Sequence, residues 1–246
     1  MAEPIFDREA AFDEDYLYFY AERLSPEETE ADVELIWKLL ELEPGLELLD
    51  LACGHGRIAN ALAERGVRVT GLDATPYFLD LARKDAAERG VEVEYVEGDM
   101  RSLPWTDRFE RVLSWFTSFG YFGDEDNKRV LAEASRALRP GGLLAVNMLS
   151  RDRVLRVYQD DIVTERNGDL MIDRHRLDLE TGRIHTERTI IRGGKRRSFE
   201  FFVRLLTPAE LRDWLLGAGF REAHAFGEDG ESLTLEHRRM TVVARK

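Results

Sequence analysis

The segment Leu49-Asp50-Leu51-Ala52-Cys53-Gly54-His55-Gly56-Arg57 decides the fold, because a short apolar strand runs directly into a glycine-rich turn and then a helix. Gly54 and Gly56 allow the backbone to bend tightly and to approach a ligand closely. The helix that follows offers backbone N–H groups that have no helical acceptor. Many nucleotide-binding folds contain such a loop, so the segment predicts a ligand-binding edge without identifying the ligand.

Strands and helices alternate on both sides of this segment. The Ser25-Pro26-Glu27-Glu28 sequence is typical of a helix start. Alternating strands and helices indicate an α/β fold, in which helices cover both faces of a parallel sheet. Strands are predicted over residues 47–51, 67–73, 91–97, 109–115 and 143–149, helices over 57–65, 76–89 and 125–138, and a closing antiparallel pair over 220–226 and 240–245.

The pattern changes after Ser150. Three tight-turn signals, Asn167-Gly168, Thr181-Gly182 and Gly193-Gly194, separate runs of strand length. This arrangement predicts a four-stranded antiparallel meander within residues 151–206. The last strand of the meander has an apolar face, formed by Phe199, Phe201, Val203 and Leu205.

The middle turn of the meander predicts a register for the strands beside it. If Thr181-Gly182 is a two-residue turn, Asp178 faces His185 and Arg176 faces Glu187. Both would be favourable cross-strand pairs of opposite charge.

Carboxylates follow the second and third predicted strands. Asp73 ends the second strand, where a carboxylate can accept hydrogen bonds from both hydroxyls of a ribose. Gly98-Asp99-Met100 ends the third, where Asp99 can accept from an adenine amino group and Met100 can pack on the ring. The carboxyl ends of adjacent parallel strands share one edge of the sheet, so these groups are predicted to lie beside the glycine-rich turn.

Four motifs in this order and spacing resemble those of class I S-adenosylmethionine-dependent methyltransferases. They are Leu49 to Gly56, Gly71 to Asp73, Glu97 to Met100, and Leu138 to Gly142. The resemblance covers about residues 30–149, and the combination is more specific than any single motif.

The resemblance implies a seven-stranded, mostly parallel sheet with an antiparallel last strand. It implies S-adenosyl-L-methionine as the cofactor and S-adenosyl-L-homocysteine as the product. In this family the glycine-rich turn contacts the methionine part of the cofactor. The residues thereby implied to bind the cofactor are Tyr20, Asp50, Ala52, Cys53, Gly54, Gly56, Arg57, Asp73, Ala74, Asp99, Met100, Arg101 and Ser114.

The resemblance also assigns roles to two aromatic segments. Residues 114–122 follow the fourth strand, and in the family this region faces both the sulfonium and the methyl acceptor. The aromatic content fits that position, because methyl transfer disperses a sulfonium charge and favours a shielded site. Tyr121 is predicted to position the acceptor. Tyr16, Tyr18 and Tyr20 are predicted to belong to an N-terminal lid, with Tyr20 reaching the carboxylate of the cofactor.

The position of the meander is similar to that in a branch of the family that acts on small molecules. This branch includes amino-sugar N,N-dimethyltransferases and glycine or sarcosine N-methyltransferases, in which the meander covers the active site. The likeness of the C-terminal part is architectural and leaves the acceptor open. The predicted parts are a lid segment (1–24), a methyltransferase domain (25–150 and 207–246) and an inserted cap (151–206).

The composition limits the classes of partner. The 246 residues carry a net charge of −13, which argues against a broad nucleic-acid-binding face. No apolar run approaches the ~18 residues of a membrane span, and a secretory signal is not evident, so we expect a cytoplasmic protein without membrane partners. Cys53 is the single cysteine, and no His, Asp and Glu grouping has metal-ligand spacing, so no metal is expected.

The predicted function is methyl transfer from S-adenosylmethionine to nitrogen or oxygen of a small molecule. A nicotinamide-dependent oxidoreductase would need a third glycine where Ala59 or Asn60 stands. A protein or RNA methyltransferase would need a basic groove, and a non-catalytic module would bind cofactor without turnover. Whether the chain forms a homodimer stays open.

Overall fold

The computed structural model describes residues 7–246, in which strands and helices alternate as the apolar periodicity predicts. The helices are α1 (Arg8–Ala11), α2 (Glu14–Phe19), α3 (Pro26–Leu39), α4 (Arg57–Glu64), α5 (Pro76–Arg89), α6 (Asp124–Ala137), α7 (Arg151–Arg156) and α8 (Pro208–Gly217). The strands are β1 (Glu47–Leu51), β2 (Arg68–Asp73), β3 (Glu94–Glu97), β4 (Phe109–Ser114), β5 (Leu138–Leu149), β6 (Asp161–Arg166), β7 (Asp169–Asp178), β8 (Arg183–Arg192), β9 (Lys195–Arg204), β10 (Glu222–Phe226) and β11 (Arg239–Arg245).

The larger sheet has seven strands in the order β10-β11-β5-β4-β1-β2-β3. Every neighbouring pair from β5 to β3 is parallel, whereas β11 is antiparallel to both of its neighbours. The predicted α/β fold, with a mostly parallel sheet and an antiparallel last strand, is confirmed. β5 begins before the predicted residue 143, because Leu138 already pairs with Phe109 ahead of an irregularity in register.

The larger sheet buries apolar side chains on both faces. Leu48 and Leu49 are adjacent in β1 and both fully buried, but they belong to two different apolar clusters. Ile36 of α3 joins the cluster of Leu48, and Leu131 of α6 joins that of Leu49. Parallel strands covered on two faces are apolar throughout, which explains why β1 shows no alternation. This packing fixes the end of β1, where the glycine-rich turn begins.

The meander is a separate four-stranded antiparallel sheet in the order β6-β7-β8-β9, as predicted. Asn167-Gly168 and Gly193-Gly194 are two-residue turns, because the residues on either side of each turn pair with one another. The Gly193-Gly194 turn joins β8 to β9, whose residues Phe201 and Val203 belong to an apolar cluster with Tyr121 and Leu149.

The predicted register at the middle turn of the meander is wrong. Asp178 pairs with Arg183, and Arg176 pairs with His185, so residues 179–182 together form the connection. The cause is the side chain of Asp178, whose Oδ1 accepts hydrogen bonds from the N–H groups of Glu180 and Thr181 at 3.0 and 3.2 Å. Asp residues commonly bond the backbone two residues ahead in this way, which opens a wider turn.

Ion pairs join the meander to the N-terminal helices. Arg192 of β8 and Arg197 of β9 both bond the carboxylate of Asp15 in α2, at 2.7 and 2.9 Å. On the other side, the N–H of Arg204 donates to the carbonyl of Gly120 at 2.8 Å. The meander therefore lies between the N-terminal helices and the loop that follows β4.

Of the predicted lid segment 1–24, residues 1–6 lie outside the described residues, and the remainder contains α1 and α2. Within residues 7–246, none of the helices has the length and apolar character to cross a bilayer.

Candidate active site

A cavity of about 400 Å³ lies at the C-terminal ends of β1, β2, β3 and β4. This is the edge at which open α/β sheets bind ligands. Three of the predicted site residues, Tyr20, Gly56 and Ser114, do not line this cavity. That any of the predicted residues binds a cofactor stays a prediction. The predicted site residues that line the cavity are Asp50, Ala52, Cys53, Gly54, Arg57, Asp73, Ala74, Asp99, Met100, Arg101 and Tyr121.

The turn between β1 and α4 is built from residues in left-handed conformations. Ala52, Gly54 and Gly56 have φ angles of 55°, 57° and 79°. A methyl group added at Gly54 would have its nearest neighbour, a ring carbon of Phe78, 3.9 Å away. Gly54 therefore faces open space in the cavity, and a ligand can approach its backbone closely.

Gly56 is required for a different reason, which is packing against α5. A Cβ atom at Gly56 would collide with the hydroxyl of Tyr95 and would lie 2.7 Å from the methyl group of Ala82. The Tyr95 hydroxyl itself donates to Oδ1 of buried Asn60 at 2.5 Å, which holds the ring in place. Gly56 thus lets the start of α4 lie directly against α5 and β3.

Asp73 holds the glycine-rich turn from the end of β2. Its Oδ2 accepts a hydrogen bond from the N–H of Gly54, and its Oδ1 accepts one from the N–H of Thr75, both at 2.8 Å. Burial raises the pKa of Asp73, against the lowering effect of these two bonds. A carboxylate offers about four lone-pair sites, so Asp73 can still accept from a ligand hydroxyl in the cavity.

Asp50 is a second buried carboxyl group beside the turn. It is 3% exposed, and its pKa is raised to about 8, mainly by burial; Arg57 opposes the shift and Asp73 adds to it. The same surroundings raise the pKa of the Cys53 thiol, mainly through burial, so Cys53 is not an activated thiolate. Burial also lowers the pKa of His55 to about 4. The floor of the cavity thus holds weakly hydrated groups that favour their neutral forms.

Asp99 belongs to a charged network at the rim. Arg101 grips its carboxylate through Nε and Nη2, at 3.1 and 2.6 Å to Oδ2, and bonds Asp126 of α6 through Nη1 at 2.7 Å. These bonds from Arg101 lower the pKa of Asp99. The guanidinium lies over the ring of Phe122, 4.5 Å from its centroid. The network connects the end of β3 to α6 and keeps Asp99 ionised at the rim.

Aromatic side chains enclose the part of the cavity beyond β4, which we call the acceptor end and define by Tyr16, Phe116, Thr117 and Tyr121. Phe116 and Thr117 have φ angles of 57° and 63°, rare values for side chains of this kind. Strained residues of this sort cluster at functional sites. Tyr121 packs 6.1 Å from Phe201 of the meander, centroid to centroid.

Tyr20 does not line the cavity and contacts the meander instead. Its hydroxyl accepts a hydrogen bond from Nη2 of Arg188 at 3.0 Å, and its ring stacks on Tyr16 with centroids 4.7 Å apart. Arg188 is held by Asp173 through two bonds of 2.6 and 2.7 Å. Tyr20 therefore supports the wall residue Tyr16 and connects it to the meander.

The residues that line the cavity but were not selected from the sequence include Arg8, Phe78 and Phe202. Phe202 lies out of phase with the predicted apolar face of β9. An apolar residue on the second face is itself a signal that both faces of the strand are covered. Ser114, which was selected, is fully buried at the end of β4, and its hydroxyl has no hydrogen-bond partner within residues 7–246.

In the described part of the chain, no three His, Cys, Asp or Glu side chains converge as ligands for a metal ion.

Residues 48–142 match the family model described as a methyltransferase domain. A demethylmenaquinone methyltransferase of Thermus thermophilus is 38% identical over 121 residues, covering 46% of this chain and 54% of the relative. The chain thus spans about half the length of this relative.

The solved structures that resemble most or all of the chain include two methyltransferases. The CcbJ methyltransferase from Streptomyces caelestis has a TM-score of 0.76 and 24% identity, over 89% of this chain and 90% of the other. CalS10, an amino pentose methyltransferase from Micromonospora echinaspora with bound S-adenosylmethionine, has a TM-score of 0.66 and 21% identity, over 100% of both chains. At these identities the likeness establishes the fold. The resemblance to class I methyltransferases seen in the four sequence motifs is confirmed.

Proposed function

We propose that the chain, through its methyltransferase domain, transfers a methyl group from S-adenosylmethionine to nitrogen or oxygen of a small molecule. The observation that carries this proposal is the cavity at the ends of β1–β4, which joins the glycine-rich turn and two buried carboxyl groups to an aromatic acceptor end. One end has the chemistry to hold a charged nucleoside, and the other shields a reacting centre from water.

The charges in the cavity fit S-adenosylmethionine. Asp50 and Asp73 are 3% and 7% exposed, and neither forms a salt bridge with a basic side chain of residues 7–246. Buried carboxylates are costly unless a positive charge lies close to them. S-Adenosylmethionine carries an ammonium group and a sulfonium group, which would supply that charge. Asp50 and the backbone of Gly54 would hold the methionine part, and Asp73 the ribose.

The protein contributes position and shielding to the reaction. When bound, the cofactor supplies an electrophilic methyl group on sulfur. The acceptor end aligns the attacking atom, and alignment alone can supply ~7–11 kcal/mol of the barrier. Phe116 and Tyr121 exclude water from this region, which favours transfer over hydrolysis.

The small-molecule acceptor is part of the proposal and is supported by how the cavity is covered. Tyr16 of α2 and Phe202 of β9 both line it, so the N-terminal helices and the meander border the same space. A folded protein or RNA would need an open groove, and the net charge of −13 opposes RNA. A cytoplasmic location stays a prediction, and the oligomeric state stays open.

A nicotinamide-dependent oxidoreductase is disfavoured at the start of α4. The third glycine of that motif would stand at 59 or 60, where Ala59 and Asn60 are both fully buried. Asn60 there is committed to Ala82 and Asp85 through its side-chain amide.

A thermal-shift assay tests the proposed cofactor. We expect S-adenosylhomocysteine at a concentration about 100 times its Kd to stabilise the protein by ~2.7 kcal/mol, and NAD to leave the melting temperature unchanged. The reverse order would contradict the proposal, and stabilisation without turnover on any small acceptor would favour a non-catalytic module.

Proton release gives a test at Asp50. Because the carboxyl group has a pKa of about 8 in the empty protein, it is largely protonated at pH 7, and a bound cation should ionise it. We expect binding of S-adenosylmethionine at pH 7 to release about one proton, and the affinity to rise with pH until about pH 8. Calorimetry in buffers of different ionisation enthalpy measures this release, which Asp50→Asn should abolish.

The stability of the empty protein should follow the opposite trend. The pKa of Asp50 in the folded protein lies above its ordinary value of 3.8, so the carboxyl group binds its proton more tightly in the folded state. The contribution of this protonated carboxyl group to the free energy of unfolding is fully present below about pH 4 and is lost as the pH rises through about 8. If the affinity of the wild type for S-adenosylmethionine does not change with pH, Asp50 does not bind the cationic part of the cofactor.

Selectivity for adenine tests Asp99. If its carboxylate accepts from the adenine amino group, the inosine analogue of S-adenosylhomocysteine should bind about tenfold more weakly or worse, because a hydrogen bond to a charged group is lost. Competition binding measures the ratio of the two affinities, and Asp99→Asn should bring this ratio closer to one. Equal affinity for both nucleosides in the wild type would show that Asp99 serves only the network with Arg101.

A further inference from the structure

Three guanidinium groups lie beside the acceptor end. Arg57 lines the cavity itself, whereas Arg188 and Arg239 lie behind residues that form its wall or the meander. Arg57 and Arg239 both pack on the ring of Phe116, with their central carbons 5.2 and 4.8 Å from its centroid. Arg188 lies over Phe201, at 5.2 Å. Cations in an apolar enclosure are costly unless an anion balances them, so the charge of each one needs a partner.

Two of the three charges are balanced by the protein. Arg57 bonds Asp32 at 2.7 Å, and Arg188 bonds Asp173 in a fork of 2.6 and 2.7 Å. Arg239 is different, because it bonds neutral oxygen atoms.

The neutral partners of Arg239 are Asn147 and Thr117. Nε and Nη2 donate to Oδ1 of Asn147 at 2.8 and 2.6 Å, and Nη2 donates to the hydroxyl of Thr117 at 2.8 Å. Nη1 donates to no group within residues 7–246, although the side chain keeps part of its surface accessible. The guanidinium is thus fixed in orientation, with one nitrogen still available.

The nearest carboxylates do not supply the missing charge. Asp32 and Glu228 both act on Arg239, but neither comes within 4.0 Å of it, and each already pairs with another arginine, Arg57 or Arg238. Burial accordingly lowers the pKa of Arg239 to about 10. The acceptor end keeps one unbalanced positive charge among the described residues.

The backbone of Arg239 lies three strands away from β1, although its guanidinium reaches the ring of Phe116, on which Arg57 at the start of α4 also packs. Arg239 begins β11, opposite Leu149 of β5, and the sheet order places β5 and β4 between β11 and β1. Three strand spacings amount to about 14 Å. The nucleoside features lie on the β1–β3 side, whereas Thr117, the partner of Arg239, lines the cavity beyond β4.

We propose that Arg239 binds a carboxylate of the methyl acceptor, so that the acceptor is an anionic small molecule held with its nucleophile toward the sulfonium. This inference rests on the proposed function. The unbalanced positive charge of Arg239 would be neutralised by one carboxylate, which can accept a hydrogen bond from the available Nη1. Phe116 would support the apolar body of the acceptor beside that group.

Benzoate and its neutral isostere benzamide serve as probes, used on the full chain saturated with S-adenosylhomocysteine. Titration calorimetry should show benzoate binding about tenfold more tightly than benzamide, or better, as expected for a charge-assisted bond. Arg239→Met should remove this preference, and Arg239→Lys should retain part of it. Arg212→Met, a change of an exposed arginine on α8, should leave the preference intact.

The outcomes separate this inference from the proposed function. If the wild type does not bind S-adenosylhomocysteine at all, the proposed function itself is wrong. If the cofactor product binds but benzoate shows no advantage over benzamide, the inference is wrong, and this comparison needs no variant. A loss of more than about tenfold in S-adenosylhomocysteine affinity in Arg239→Met would also overturn it, because Arg239 would then bind the carboxylate of the cofactor.

Discussion

Replacing Gly56 with alanine is expected to lower the free energy of unfolding by about 2–5 kcal/mol and to abolish cofactor binding. The left-handed backbone at φ 79° costs an L-residue about 1–2 kcal/mol. The added methyl group would also lie 2.7 Å from Ala82 and collide with the Tyr95 hydroxyl, and overpacking of this kind costs about 1–3 kcal/mol. Urea denaturation followed by circular dichroism measures the loss.

Gly90→Ala is the matched control for that substitution. Gly90 ends α5 with a φ angle of 70°, and its missing Cβ has no neighbour within 4 Å. The control therefore carries the backbone cost without the collision and should lose only about 1–2 kcal/mol. Equal losses in the two variants would show that close packing against α5 is not the reason for glycine at position 56.

Asp173→Ala is expected to lower the free energy of unfolding by about 3–5 kcal/mol, because it leaves the buried guanidinium of Arg188 without its anion. The two side chains are only 10% and 8% exposed. Burial alone would lower the pKa of Arg188, but Tyr20 and Asp173 outweigh it and raise the pKa. The substitution should also loosen α2, because Arg188 bonds the Tyr20 hydroxyl.

Two further variants make the result specific. Asp173→Leu combined with Arg188→Met removes both charges and should recover most of the stability, as apolar replacements of buried ion pairs do. Glu88→Ala breaks an exposed pair with Lys84 on α5 and should change the stability by less than about 0.5 kcal/mol. A double variant as unstable as Asp173→Ala would mean that the pair contributes through shape and not through charge.

The motifs and apolar runs along residues 30–149 were sufficient to predict the large sheet. Short apolar strands, each followed by a helix, allow few arrangements other than a parallel sheet. The register beside the Thr181-Gly182 turn was not predictable from its glycine alone, because the side chain of Asp178 stabilises a wider connection. The displaced register changes every cross-strand pair between β7 and β8, including the pair that Arg188 forms with Asp173.

The candidate site likewise contains residues that could be predicted from the sequence and one that could not. Residues in the motifs, such as Asp50 and Asp73, could be selected because the ends of parallel strands meet at one edge of the sheet. Arg239 could not, because its partners Thr117 and Asn147 are 122 and 92 positions away in the sequence. Only the closing of β11 against β5 brings them together.

Titration calorimetry of S-adenosylhomocysteine with the wild type and Asp73→Ala tests whether the cavity at the ends of β1–β4 binds the cofactor, and melting curves verify that both proteins are folded. We expect low micromolar affinity for the wild type and a loss of about 10–150-fold in Asp73→Ala, since a hydrogen bond to a charged group is worth ~1.5–3 kcal/mol. Undetectable binding to the wild type, or equal affinity in a folded Asp73→Ala variant, would contradict this expectation.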